Sequence, residues 1–323
     1  MCQHCYAAAN RDPGLASGEP TGATSIQPSG RASSKSPWSA RRAFLLAAGA
    51  AAASPVLAQV QVDAQPSRFR SLVPADEIES AGGKEYAQVL AQARQKGALA
   101  PEGHPQLRRI RAIAASLIPH SAQWNDRART WRWEVNLIGS KQINAFCMPG
   151  GKIAVFTGIL DQLALTDDEV GMVMGHEIAH ALREHARARI AKSQGTGIGL
   201  SVLAQVLGLG QLGDVAASIG TQLLTLRFSR DDEIDADLVG LELAARSGFR
   251  PEASVSLWEK MGRASGDSNG PGFLSTHPSG PDRLTRLREN VPRVRSLYER
   301  AVASGDAAAA PAAPATGGIP ILR

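Results

Sequence analysis

Hydrophobic residues recur at two different periods along the chain, and the change of period separates predicted helices from predicted strands. Over residues 84–96 and 107–117 the apolar positions return every three or four residues, which predicts two amphipathic helices. Over residues 131–137 apolar and polar residues alternate, which predicts a half-buried strand. Two more short strands are expected at 143–148 and 153–157.

The pattern after these strands is helical again. Thr166 with Glu169 three residues later fits a capping box, which begins a helix expected to reach about Lys192. Further helices are expected at residues 230–247, 251–261 and 284–297, the last of them interrupted at Pro292. These elements together predict an α+β fold that is mostly helical with a small mixed sheet.

Composition changes near both ends of the chain. Arg41 and Arg42 precede an alanine-rich apolar run that ends in small residues before Gln59, which is the pattern of an export signal. This predicts a mature protein that begins near Gln59 and works in the periplasm, exported by the twin-arginine route or by the ordinary secretory route. The expected parts are a leader at 1–58, an irregular lead-in at 59–82, one folded domain at 83–300 and a disordered tail at 301–323.

Charge gives little support to nucleic-acid binding, and none is predicted. The formal net charge of the 323 residues is +5, but residues 1–58 carry five basic and two acidic residues, so +2 remains for the rest. A chain that begins at Gln59 keeps only Cys147 and therefore has no internal disulfide. Its stability must come from a hydrophobic core.

One segment raises the question of a membrane. Residues 193–213 contain no charged side chain, although their glycines and glutamines interrupt a continuous apolar helix. We interpret them as a flexible loop with a helix that is either buried or touches a membrane peripherally.

The strongest chemical motif lies inside the helix that Thr166 begins. His176 and His180 enclose Glu177 in the pattern H-E-x-x-H. Residues four apart on a helix share a face, so both imidazoles can bind one metal ion. Glu177 follows the first histidine and can take a proton from a water at that metal.

A catalytic zinc site needs a third protein ligand. His185 is near in sequence, but on a continuous helix it points away from His176. Glu233 is the better candidate, and Asp237, one helical turn later, can accept a hydrogen bond from a zinc-bound histidine. The alternative for this acidic segment is a solvated helix start, which explains its first two aspartates but not Glu233 and Asp237.

Over residues 80–295 the sequence resembles the HtpX/BepA/LoiP group of zinc metallopeptidases. The shared features are Asn144-Ala145-Phe146 with Pro149-Gly150-Gly151, the H-E-x-x-H motif, Glu233-x-x-Ala236-Asp237, and Ser275-Thr276-His277-Pro278 followed by Arg283. The resemblance implies a zincin-like domain at 83–300, with Glu233 as the third zinc ligand and Asp237 as its supporting partner.

The resemblance also implies roles that spacing alone does not give. Asn144, Ala145 and Phe146 resemble the strand on which relatives align an extended peptide. His277 either stabilises the oxyanion or binds the zinc itself and holds the enzyme shut. Arg283 either anchors the loop of His277 or assists at the oxyanion.

The function implied is that of a zinc endopeptidase, with one Zn²⁺ per chain, that cleaves misfolded envelope proteins. Its catalytic residues would be Glu177, His277 and Arg283, and its partners polypeptide substrates. The alternative is a latent zinc protein, latched by His277, that acts mainly as a chaperone or binding module.

Overall fold

Three short strands form a mixed sheet beside a bundle of helices. The structure is a computed structural model that describes residues 66–193, 223–264, 273–278 and 281–305. β1 (Glu134–Ile138) pairs parallel with β3 (Lys152–Phe156), and β3 pairs antiparallel with β2 (Ala145–Met148). The order β1-β3-β2 leaves β2 at an edge. The predicted α+β class with a small mixed sheet is confirmed.

Nine α-helices lie within the described residues. In chain order they are α1 (Ala75–Gln95), α2 (Pro105–Leu117), α3 (Thr157–Gln162), α4 (Asp167–Leu182), α5 (His185–Ser193), α6 (Arg230–Arg246), α7 (Ala253–Ala264), α8 (Phe273–Thr276) and α9 (Pro281–Ala303). Short 3₁₀ turns cover Arg68–Leu72, Ile118–Gln123 and Asp126–Arg129.

Helix α4 forms the centre of the core. Every residue from Glu169 to Leu182 is buried, and the helix packs against α2, α6, α7 and β2. The predicted capping box is present, since the Thr166 hydroxyl accepts from the Glu169 amide and the Glu169 carboxylate accepts from the Thr166 amide. Because α4 has no solvated face, each polar side chain on it must find a partner within the protein.

The first helix begins earlier than the sequence pattern indicates. It starts at Ala75, inside the segment predicted as an irregular lead-in. The helix includes Gly82 and Gly83, although glycine weakens helices. Gly82 lies against the turn before β3, where an added Cβ would lie 3.0 Å from the Pro149 carbonyl oxygen. Its missing side chain therefore serves a close contact between helix and sheet.

Three other boundaries differ from prediction. The single helix expected from Thr166 to Lys192 breaks between α4 and α5, where Glu184 has φ +56°. β3 ends at Phe156 and Thr157 begins a helix, in which its hydroxyl donates to the Ser140 carbonyl. Helix α9 continues through Pro292 because buried Val291, Val294 and Leu297 hold it against the core, which outweighs one lost backbone hydrogen bond.

The predicted membrane contact lies almost wholly outside the described residues, because residues 194–222 are not among them. Among the helices that are described, none combines the length and the apolar character that a membrane span requires.

Candidate metal centre

Helix α4 carries both histidines of the H-E-x-x-H motif on one face. The ring centroids of His176 and His180 lie 4.7 Å apart, and their Nε2 atoms are 3.1 Å apart. Both side chains are buried, as is Glu177 between them. The helical spacing that the sequence indicated therefore brings two imidazole nitrogens to one point.

Helix α6 reaches this point because it crosses α4 at two glycines. A Cβ on Gly240 would lie 2.7 Å from the His176 amide nitrogen, and one on Gly175 would lie 2.9 Å from the Gly240 carbonyl oxygen. The two backbones are thus in direct contact. Ser229 and Asp232 cap α6 at its N-terminus, and Glu233 follows within the first turn, completely buried. The crossing therefore delivers the Glu233 carboxylate to the two histidines.

A fourth donor comes from the segment after α8. His277 joins His176, His180 and Glu233 in a buried group whose ligand atoms all lie within 4.8 Å of one another. Its Nδ1 atom is 3.3 Å from Nε2 of His176 and 3.1 Å from Oε1 of Glu233. The structure thus brings together the three predicted zinc ligands and places His277 with them.

The spacing of these donors fits a tetrahedral zinc ion. Ligands at about 2.0–2.1 Å from zinc lie roughly 3.3 Å from one another at the corners of a tetrahedron. The donor separations quoted above are 3.1–3.3 Å, and Nε2 of His180 lies 3.5 Å from Oε1 of Glu233. Imidazole nitrogens with one carboxylate oxygen are also the donor types of catalytic zinc sites. The residues therefore fit this metal.

The Glu177 carboxylate lies beside the donor group without belonging to it. Its Oε1 atom is 3.6 Å from Nε2 of His277, and the carboxylate accepts a hydrogen bond from the backbone amide of Cys147. Burial raises the pKa of Glu177, and the nearby charges of His277 and His176 only partly offset this effect. The carboxylate can therefore take up a proton more readily than an exposed glutamate.

Asp237 and Arg283 form a charged layer behind the donors. Oδ1 of Asp237 lies 3.0 Å from Nδ1 of His176, as the sequence predicted for a supporting partner. Arg283 holds Asp237 with two contacts of 2.7 Å and also lies 2.9 Å from Glu233. Burial acts to raise the pKa of Asp237, but Arg283 and the hydrogen bond to His176 outweigh it and lower that pKa to about 2.

Sequence analysis missed a second pair of residues behind the site. Nδ1 of His185 lies 3.0 Å from Nδ1 of His180, and Nε2 of His185 lies 2.9 Å from Oδ2 of Asp235. His185 was set aside because a continuous helix would turn it away, but the chain breaks before it. Burial and neighbouring histidines hold the pKa of His180 well below its usual range, so its imidazole is neutral.

Aromatic rings enclose the donors, and these too were not predicted. The ring centroid of Phe228 lies 4.0 Å from that of His180, and Phe273 stacks on His277 at 4.2 Å. The Arg283 guanidinium lies 3.5 Å above the Trp258 ring. No motif marks these three aromatic residues, because they approach from segments far apart in sequence.

The strand predicted to align the substrate lies directly beside the metal-binding helix. The Asn144 carbonyl accepts from the Phe156 amide of β3, so by antiparallel alternation the backbone of Ala145 and Cys147 faces the other way. That direction leads to the site, since the Cys147 amide reaches Glu177. Phe146 is half-buried against Tyr86 and Phe156.

Comparison with curated proteins finds similarity to metallopeptidases. The chain is 38% identical over 174 residues to the mitochondrial metalloendopeptidase OMA1 of Arabidopsis thaliana, a match that covers 54% of this chain and 35% of the relative. It is 26% identical over 200 residues to the metalloprotease LoiP of Escherichia coli, covering 61% and 75%. The β-barrel assembly-enhancing protease of the same bacterium is 29% identical over 172 residues, covering 50% and 35%.

The predicted periplasmic location is contradicted by these comparisons. Relatives of higher identity from plants and fungi are mitochondrial OMA1 enzymes, and so are relatives from animals. Residues 1–58, which were predicted to be an export leader, are basic, rich in serine and poor in acidic residues, a composition that mitochondrial transit peptides share, so Arg41 and Arg42 could not decide the location. The leader itself lies outside the described residues.

The family is shown by a match to the core of the chain. The matched segment spans between 35% and 50% of the length of the plant and yeast OMA1 relatives. The model of peptidase family M48 matches residues 104–291, more than half of the sequence, and includes every donor described above. The resemblance inferred from the four motifs is confirmed: the chain belongs to peptidase family M48.

Proposed function

We propose that this protein is a zinc-dependent endopeptidase that hydrolyses bonds within polypeptide chains. One zinc ion per chain would be held by His176, His180 and Glu233. The observation that carries the proposal is the buried donor group with the Glu177 carboxylate at its side. A carboxylate that neighbours a metal but does not belong to its ligands is what general-base catalysis requires, whereas a structural zinc site has no use for one.

The chemistry divides between the metal and one side chain. Zinc, when bound, lowers the pKa of a water molecule and polarises the substrate carbonyl. Glu177 takes the proton from the attacking water and then donates it to the leaving amine nitrogen. Its buried position beside the donor group suits this double role, because the carboxylate could reach both the attacking water and the leaving nitrogen.

Substrate binding is assigned to the edge of β2. An extended peptide would lie along Ala145 and Cys147 in the manner of strand addition and would pair with their carbonyl oxygens, because the Ala145 amide is donated to Asn144 and the Cys147 amide to Glu177. The amide of Cys147 holds Glu177 at the same edge, so β2 would position both the bound peptide and the base. Asn144 supports this strand, since its side-chain oxygen accepts from the Ala145 amide.

Two roles stay open for His277. Its Nδ1 atom lies among the donors, which supports the second candidate function, a latent protein in which His277 fills the fourth zinc position. If His277 swings away from the metal, it can serve instead as a donor to the oxyanion. If replacement of His277 released proteolysis, the latched protein would itself be an endopeptidase, in agreement with the first proposal.

The contacts of Arg283 favour anchoring over direct catalysis. Its guanidinium is committed to Asp237 and Glu233, and Nη1 lies 3.5 Å from the Pro278 carbonyl oxygen beside His277. We therefore assign Arg283 to holding the His277 loop against α6.

The narrower substrate class is part of the proposal. Misfolded proteins expose extended backbone that can pair with a strand, and β2 is an outer strand of the described sheet, so its placement supports such substrates.

The test uses the full chain loaded with zinc and unstructured casein as substrate. Mass spectrometry of the products identifies internal cleavage sites, and His104→Ala serves as control for the loss of a buried histidine away from the site. Cleavage by wild type that a chelator stops and zinc restores supports the proposal. Cleavage only by His277→Ala supports a latched endopeptidase. Zinc-loaded wild type and His277→Ala that both fail to cleave would refute it.

A further inference from the structure

The two histidines of α4 are supported from behind in different ways. His176 meets a carboxylate directly, since its Nδ1 atom lies 3.0 Å from Asp237. His180 meets no carboxylate at its Nδ1 atom but a third histidine, His185, at 3.0 Å. His185 in turn lies 2.9 Å from Asp235. The two aspartates are two residues apart on α6, and each is held by an arginine.

We infer that His185 and Asp235 position His180 as a metal ligand by fixing which of its ring nitrogens carries the proton. This inference rests on the proposed zinc site and adds His185 and Asp235 to Asp237 as residues that hold its ligands in place. His185 and Asp235 do not touch the metal or the substrate, so they are positioning residues.

The assignment of protons along this chain follows from the geometry. His180 presents Nε2 to the other donors, 3.1 Å from Nε2 of His176. A neutral imidazole that binds metal through one nitrogen carries its proton on the other. Nδ1 of His180 must then donate, and Nδ1 of His185 must accept. The proton of His185 is consequently on Nε2, where it is donated to Asp235.

Asp235 is itself held in place. It is 3% exposed, and the Arg183 side chain contacts its Oδ2 atom at 2.5 Å. A buried carboxylate held by a cationic partner keeps its orientation as a hydrogen-bond acceptor. The orientation of His185 is therefore set from α6 and from the end of α4 together.

The break between α4 and α5 makes the contact feasible. On a continuous helix, five residues turn a side chain by about 140° from its starting face, so His185 would point away from His180. Glu184 interrupts the helix with φ +56°, a left-handed conformation that is unfavourable for a residue other than glycine. Glu184 is stabilised there by Arg187 at 2.7 Å. The strained turn directs His185 back to His180.

The experiment measures metal binding rather than turnover. Zinc affinity of the full chain is determined by competition with a chromophoric chelator for wild type, His185→Leu, His185→Asn and Asp235→Asn. His104→Leu is the matched control, because it removes a buried histidine outside the site. The absorption spectrum of the Co²⁺-substituted protein reports the ligand geometry, and thermal unfolding without metal reports the fold.

We expect His185→Leu to weaken zinc binding about 10–100-fold and to change the Co²⁺ spectrum. Asp235→Asn keeps an oxygen acceptor for His185 but loses the charge that Arg183 holds in place, so it should weaken zinc binding by a smaller factor. His185→Asn keeps an acceptor near the position of Nδ1 and should recover part of the affinity. If His185→Leu does not fold, His185→Asn and the isosteric Asp235→Asn carry the test.

Folded variants with wild-type zinc affinity and an unchanged Co²⁺ spectrum would overturn the inference while leaving the proposed function intact. An equal loss in His104→Leu would also overturn it, because the effect would then be a general one of stability. Wild type that binds no zinc would instead contradict the proposed function, and the inference with it.

Discussion

The contact between α4 and α6 offers a sharp perturbation in Gly240→Ala. The new methyl carbon would lie 2.7 Å from the His176 amide nitrogen and 2.9 Å from the Gly175 carbonyl carbon. Ordinary contact begins at 3.4 Å, so the helices must separate by about 0.7 Å. Both obstructing atoms belong to backbone, which cannot rotate out of the way.

Two opposing effects determine the change in the free energy of unfolding. Overpacking against rigid neighbours costs up to about 3 kcal/mol, whereas alanine in place of glycine inside a helix gains about 1 kcal/mol. The net loss of about 2 kcal/mol corresponds to a melting temperature roughly 4–8 °C lower. Gly83→Ala in α1 is the matched control, because nothing lies within 4 Å of its Cβ position and only the helical gain remains.

Gly240→Ala should also bind zinc more weakly than wild type. Metal sites tolerate ligand displacements of only about 0.2 Å, and the expected separation of α4 from Glu233 is larger. We expect at least about a tenfold weaker zinc affinity, measured by chelator competition, with thermal unfolding recorded without metal. If Gly240→Ala melts as high as Gly83→Ala and binds zinc as tightly as wild type, the glycine crossing does not set the site geometry.

Two further predictions concern buried charges. Arg283→Gln leaves two buried carboxylates without their cation and should lower the free energy of unfolding of the metal-free protein by about 3–5 kcal/mol, measured in urea. Arg288→Gln removes an exposed ion pair and should lower it by less than about 1 kcal/mol. Equal losses in the two variants would contradict this reasoning. Burial acts to raise the pKa of Glu169, but Lys260 and hydrogen bonds outweigh this effect and lower the pKa. The contribution of Glu169 to the free energy of unfolding is therefore fully present above the ordinary pKa of 4.5 and is lost as the pH falls through the lowered value. Glu169→Gln should therefore be less stable than wild type at pH 7, by a difference that shrinks below pH 4.5; a constant difference would count against the ion pair.

Local patterns predicted much of the fold and of the site. The capping box of Thr166 and the four-residue spacing of His176 and His180 are properties of a few neighbouring residues on one helix, and both occur as predicted. The E-x-x-A-D segment placed Glu233 and Asp237 on one face of α6, and the structure brings both to the histidines.

Other features depend on contacts between distant segments. Residues 59–82 were predicted to be irregular, because the contact of Gly82 with Pro149 joins residues far apart in sequence. The turn at Glu184 contains no glycine, so a continuous helix was predicted across it, and on such a helix His185 would point away from the site. Motif spacing assumes a regular helix, and it fails where tertiary contacts pull a residue out of that geometry.

The proposed zinc site of His176, His180 and Glu233 depends on Glu177 as the base. The most direct measurement compares casein hydrolysis by wild type and Glu177→Gln, with the zinc content of both proteins determined in the same samples. We expect one zinc per chain in each protein and a loss of about 10²–10⁴-fold in rate for the variant. A zinc-loaded Glu177→Gln that cleaves casein at the wild-type rate would contradict this expectation, as would a wild type that binds no zinc.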